Sequence, residues 1–198
     1  MGWKTGWAGI AALLLTAGMV YADEGIKDVL TVIHNRKSVR TYADKPVTKA
    51  QLEILLRAGM AAPTAGDRRP WAFVVVTDKK TLTALADVLN YGKMLKSAGA
   101  AIVVLGTKDR FLPGRDAEMW VQDGSAATEN MLLAAEGIGL GAVWLGVYPI
   151  NERMHKIAEI IGSPDDALVL NVISIGVPRD DKAAKNKYDA TRIHWEKW

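Results

Sequence analysis

The 198-residue chain contains no cysteine. That absence removes disulfides, thiolate nucleophiles and thiolate metal ligands. It also excludes lipid attachment at a leader-cleavage cysteine. Histidine is scarce: His34, His155 and His194 stand far apart and form no ligand pair, so a zinc site is not expected. HExxH, a Walker-type loop and a nucleophile elbow are missing as well. Charge of one sign is not in excess, since 25 Lys and Arg oppose 22 Asp and Glu for a net of +3. The cations are scattered, and only Arg36-Lys37, Arg68-Arg69 and the lysine-rich tail cluster. A nucleic-acid surface is therefore not expected. There is no internal repeat, linker or low-complexity stretch.

The beginning of the chain has the form of an export leader. Met1 to Trp7 carries one cation, Lys4. Ala8 to Val20 is small and apolar, and Val20-Tyr21-Ala22 precedes the return of polarity at Asp23. This pattern predicts a signal peptide over 1–22, cleaved after Ala22. The apolar run is about 13 residues, short of the roughly 20 that a spanning helix needs. A retained anchor is the alternative reading. No twin-arginine pair occurs in the leader, which points to the general export route. Residues 23–198 then suit a single domain in an exported, periplasmic protein with no membrane anchor after cleavage.

Hydrophobic periodicity predicts helices over 24–36, 48–60, 81–89, 116–138 and 150–161, with a short one at 93–97. Thr48-Lys49-Ala50-Gln51 has the form of a capping box. Continuous β-branched and aromatic runs predict buried strands over 71–77, 100–106, 142–147 and 168–177. The class is therefore mixed α and β around one sheet, an α+β fold. The helix over 116–138 has apolar residues on more than one face, so it should be buried nearly all round. A central core helix and a subunit interface both account for that.

Three stretches could carry chemistry. Asn35-Arg36-Lys37-Ser38-Val39-Arg40 puts three cations and a hydroxyl where the first helix ends. Arginine's planar fork suits phosphate, although a solvated basic turn complementing the helix dipole would look the same. Ala62 to Trp71 is a proline-framed loop with Gly66, leading into a strand; it is either a ligand loop or an ordinary connection. Gly137-Ile138-Gly139-Leu140-Gly141 looks like a dinucleotide fingerprint. It follows a helix and opens a strand, the reverse of the required order, so a helix C-cap and tight packing explain it better. Asp123 and Glu129 lie on the long helix without marking an acid/base pair. So little chemistry of the chain's own is expected where a cofactor performs the reaction.

Taken together, in this order and spacing, these stretches resemble the FMN-dependent nitroreductase family from about Ile26 to the C-terminus. Arg36, Ser38 and Arg40 stand at the family's basic R-x-S-x-R/K element, with Lys37 between. The resemblance implies that they hold the flavin's phosphate, ribityl chain and pyrimidine edge. Pro63, Thr64, Ala65, Gly66, Pro70 and Trp71 match the family's loop over the flavin. Asp67 replaces its usual Asn and Arg69 its usual Gln, so the two could pair with each other or alter the ring environment. Asn90 resembles a flavin-contacting Asn. Leu145 and Gly146 match the strand-end backbone beside the isoalloxazine. Lys185 and Lys187 match a basic pair that completes the phosphate site, with Arg192 as a competing candidate.

The resemblance further implies a central, mostly antiparallel sheet flanked by helices in an intertwined homodimer, with FMN at the interface. The tail ending in Trp195 and Trp198 would reach onto the partner. The implied reaction is ping-pong two-electron transfer from a small-molecule donor to a nitroaromatic or quinone acceptor. Lys37 and Arg40 are the candidates to stabilise the reduced ring. A flavin-dependent dehydrogenase or dehalogenase, or a non-catalytic exported flavin-binding protein, are the alternatives. Export makes NAD(P)H an uncertain donor, because nicotinamides are scarce outside the cytoplasm.

Overall fold

The computed structural model describes residues 28–180 and 182–198. The leader expected over 1–22 lies outside the described residues, as does the start of the first helix. From Asp28 onward that helix is α1 (Val29–Asn35), capped by the Asp28 carboxylate accepting from Thr31 N. α2 (Lys49–Met60) opens with the predicted capping box: Thr48 Oγ1 accepts from Gln51 N and Gln51 Oε1 accepts from Thr48 N. Then follow β1 (Trp71–Val76), α3 (Lys79–Val88), β2 (Ala100–Thr107), α4 (Met119–Gly137), β3 (Gly141–Gly146), α5 (Asn151–Ile161) and β4 (Ala167–Gly176). The short helix over Lys93–Ser97 is a 3₁₀ turn. The helix expected from 116 begins at Met119, because Gly114, at φ +65°, makes a separate 3₁₀ turn over Gly114–Asp116. No helix among the described residues is long and apolar enough to cross a membrane.

The four strands form one sheet in the order β1-β2-β4-β3, and every neighbour pair is antiparallel. Both faces are covered. Ala101, Val103 and Leu105 pack with Leu82 and Leu85 of α3 and Ile157 of α5. The alternate residues Ala100, Ile102 and Val104 pack with Leu55 of α2 and Met131 of α4. Burial on both faces is why these strands are continuous apolar runs instead of alternating ones. A bulge shifts the β2–β4 register between Val104 and Leu105, where Leu170 falls between partners. The Leu170 side chain then lies where a Cβ on Gly124 of α4 would sit, 2.5 Å away. Within α4 every residue except Gln122 is buried or half-buried. A single chain thus covers most of this helix by itself, as its all-round apolar pattern predicts.

After α1 the chain does not leave the sheet. Residues 38–43 form a strap across its β3 end. Ser38 makes a parallel bridge to Ala142, and Tyr42 an antiparallel one to Pro178. Gly141 and Gly176, register partners in β3 and β4, form the floor beneath it. Val39 lies over the first and the Tyr42 ring over the second, each 2.6 Å from where a Cβ would be. The glycine-rich run ends a helix and admits close packing, with Gly139 at φ +75° just past α4.

Candidate functional site

The strap brings the first basic element to two places. Arg36 caps α1, half-buried, with its Nε 2.9 Å from Glu129 Oε1 on α4. Arg36 and Lys37 line a cavity of about 950 Å³ together with Lys182, Lys185 and Lys187 from the tail. Five cations face a single lining carboxylate, Glu136. The segments are some 150 residues apart in sequence, so their meeting is a product of the fold. Lys37 and Glu136 also line an adjoining hollow of about 350 Å³. Arg192 does not join them: it sits in a 3₁₀ turn with its Nε 3.8 Å from Asp189.

Arg40, within the strap, lies elsewhere. It lines a smaller cavity of about 170 Å³ with Asn90, Tyr91, Trp144, Leu145, Gly146 and Arg153. Asn90 gets there because α3 ends at Val88 and Leu89 turns out of the helix. Leu145 and Gly146 are the last residues of β3. Ser38 is exposed and lines neither cavity, with its backbone engaged at Ala142.

The proline-framed loop is built separately. Ala65 N donates to Asp123 Oδ1 at 2.9 Å, and the Arg68 side chain donates to the carbonyls of Arg110 and Phe111. Thr64 Oγ1 accepts from Arg69 N. Gly66, Asp67 and Arg69 all have φ between +50° and +58°, which is costly for the two that carry a Cβ. A two-pronged ion pair holds them: Arg69 Nε meets Asp67 Oδ1 at 2.8 Å, and Nη2 meets Oδ2 at 2.6 Å. The hydrogen bond from Arg69 holds the Asp67 carboxyl below its ordinary value of 3.8. Pro63, Thr64, Ala65, Gly66, Asp67 and Arg69 line neither cation-bearing cavity of their own chain. Asp123 anchors the loop near the start of α4, whereas Glu136 lines the large cavity near its end, about 20 Å further along the helix axis. One chain therefore assembles the basic element with Lys185 and Lys187, and with Asn90, Leu145 and Gly146, but not with this loop.

The donor set fits a phosphate-bearing cofactor. A guanidinium fork and several ammonium groups converge on one cavity that a single carboxylate lines, while Glu129 and Asp180 pair with Arg36 and Lys182 from beside it. The neighbouring cavity offers an amide, an indole and a strand end suited to a planar ring. The Arg36 guanidinium retains donors besides the Nε given to Glu129.

Asp123 and Glu129 turn out to be anchors, one for the loop and one for Arg36. Asp123 carried a legible cue: an acid three residues from Trp120 and four from Ala127, both on the apolar side of α4, must be buried with a donor. It is 7% exposed. Arg153 carried none, being a lone cation in the first turn of α5.

This architecture is that of an α+β flavin oxidoreductase. The nitroreductase family model matches residues 33–177. An Archaeoglobus fulgidus protein, provisionally named NADH dehydrogenase/NAD(P)H nitroreductase, is 44% identical over 176 residues, covering 87% of this chain and all of that one. A crystal structure from Parabacteroides distasonis, under the same provisional name, superposes with TM-score 0.81 at 46% identity, covering 86% of this chain and 98% of that one. A provisionally named nitroreductase of Desulfovibrio desulfuricans, solved in complex with FMN, superposes with TM-score 0.73 at 28% identity, covering 87% and 98%. The chain belongs to the nitroreductase family, and it is an oxidoreductase.

Proposed function

We propose that this chain binds FMN and, as a homodimer, transfers two electrons in turn from a reduced donor to a nitroaromatic or quinone acceptor. The observation that carries this is the convergence of Arg36 and Lys37 with Lys185 and Lys187 on one cavity. When bound, FMN supplies reversible two-electron storage. Arg36, Lys185 and Lys187 hold its phosphate, with Lys37 and Ser38 beside them. Arg40, Asn90, Leu145 and Gly146 receive the ring edge. No side chain has to act as a general acid, since water can supply protons.

The homodimer part rests on the loop over Pro63–Arg69. It carries the family's flavin-loop pattern yet lines neither cation-bearing cavity of its own chain, and a loop supplied by a second copy accounts for that. Val29 and Leu30 of α1 are 73% and 66% exposed and offer an apolar face for that copy. The tail tips Trp195 and Trp198 are likewise uncovered. Export by the leader belongs to the same proposal, and in the periplasm the donor is a reductant other than NAD(P)H.

The test is the visible spectrum of the purified protein, followed by FMN titration of stripped protein, then dithionite and NADH titrations. A flavin spectrum that bleaches with dithionite and recovers on adding a quinone is expected, from a particle of twice the chain mass. A colourless protein that refuses FMN overturns the reading. Bound flavin that cannot be reduced and reoxidised leaves only the binding function. Leader-bearing protein that stays in the cytoplasm and turns over NADH overturns the export part.

A further inference from the structure

We propose that Arg153 is a cofactor-tuning residue: with Arg40 it makes the small cavity at the β3 end an electropositive seat that favours a ring gaining negative charge. This deepens the FMN reading and rests on it. Arg153 projects from the first turn of α5, half-buried, and its Nη1 donates to the Gly146 carbonyl at 3.2 Å. That bond does two things. It holds the guanidinium against the cavity lining, and it ties down the final peptide of β3. Arg40, on the strap, also lines this cavity. The other polar lining comes from Asn90 and Tyr91, and no carboxylate lines it. Glu152, next to Arg153 in the chain, is turned to Lys156 at 2.6 Å. No carboxylate therefore lines the seat, although Glu152, outside it, lies within electrostatic reach of Arg153.

A planar ring seated there is neutral when oxidised and anionic when reduced by two electrons near neutral pH. Cations lining such a seat hold the anionic form more tightly than the neutral one. The consequence is a higher reduction potential at nearly unchanged affinity for the oxidised form. Arg36 and the tail lysines act on the phosphate, which has the same charge in both states, so they leave the potential alone.

The experiment uses the full chain with FMN and three variants. Two quantities are read for each: the dissociation constant of oxidised FMN by fluorescence, and the two-electron midpoint potential by equilibration with reference dyes. Arg153→Gln keeps a donor for the Gly146 carbonyl but removes the charge. It should lose about tenfold in preference for the reduced form, a potential lower by about 30 mV. Arg153→Lys keeps the charge and should stay near wild type. Arg36→Ala should weaken oxidised FMN binding at an unchanged potential. Equal potentials for wild type, Arg153→Gln and Arg153→Lys overturn the proposal while the FMN reading stands. Failure of the wild-type chain to bind FMN overturns both.

Discussion

Gly141→Ala tests the link between packing and site most directly. Gly141 has no positive φ, so alanine meets no backbone objection. Fewer unfolded conformations would even favour the substitution by about 0.4–1 kcal/mol. The obstacle is Val39. The new methyl would lie 2.6, 2.7 and 3.0 Å from its Cγ1, Cβ and Cγ2. Because Cβ is among the crowded atoms, turning the valine side chain cannot relieve the contact, and the strap itself has to lift. Overpacking of this kind costs about 1–3 kcal/mol, so a net loss of about 1–2 kcal/mol is expected. The strap carries Ser38 and Arg40 and follows directly from Arg36, so lifting it displaces the donors on both cavities. Loss of one charged hydrogen bond's worth of alignment predicts FMN binding weaker by about tenfold or more. Urea unfolding gives the stability and fluorescence titration the affinity. Adding Val39→Ala to Gly141→Ala should recover part of both, with a coupling of about 1 kcal/mol in the double-mutant cycle. Wild-type stability and wild-type FMN affinity in Gly141→Ala would refute the argument that the paired glycines exist to seat the strap.

Arg36→Ala should lower FMN affinity by roughly 10–100-fold, the worth of a charged hydrogen bond. It should change stability by less than about 1 kcal/mol, because its partner Glu129 is 44% exposed and can hydrate; a thermal melt beside the titration separates the two effects. Burial pushes the Tyr42 phenol up to about 12 from an ordinary 10.0. The folded state thus holds its proton more tightly than the unfolded chain does. That stabilisation is complete below pH 10 and is lost as pH rises from 10 through about 12. Tyr42→Phe should flatten this alkaline loss, while forfeiting the bonds to Val39 and Ser174 and about 1 kcal/mol at neutral pH; urea melts at pH 7 and above pH 10 check both. Thr128→Val strands the Nδ2 of the fully buried Asn171, whose Oδ1 already lacks a partner. A loss of about 1–3 kcal/mol is expected in the urea midpoint, and a loss under 0.5 kcal/mol would show that the amide finds another acceptor.

Much of the fold was legible because its cues are local. The capping box at Thr48, the unbroken strand over 100–106 and the left-handed Gly162 that ends α5 each follow from a few neighbouring residues. The strap was not legible. Its hold on the sheet comes from a bridge at Ala142, a bridge at Pro178 and two glycines 35 residues apart, all distant in sequence from residues 38–43. The long helix explains why the site was readable as residue types but not as an arrangement. α4 fixes the loop through Asp123 at one end, Arg36 through Glu129 in the middle and the large cavity through Glu136 toward the other end. A rigid rod of this length holds the loop and the basic element apart within its own chain. The family pattern, read along one sequence as a single constellation, thus describes residues that one chain cannot bring together. That separation is the ground for the homodimer proposed above, in which the loop of one copy completes the cation-lined cavity of the other.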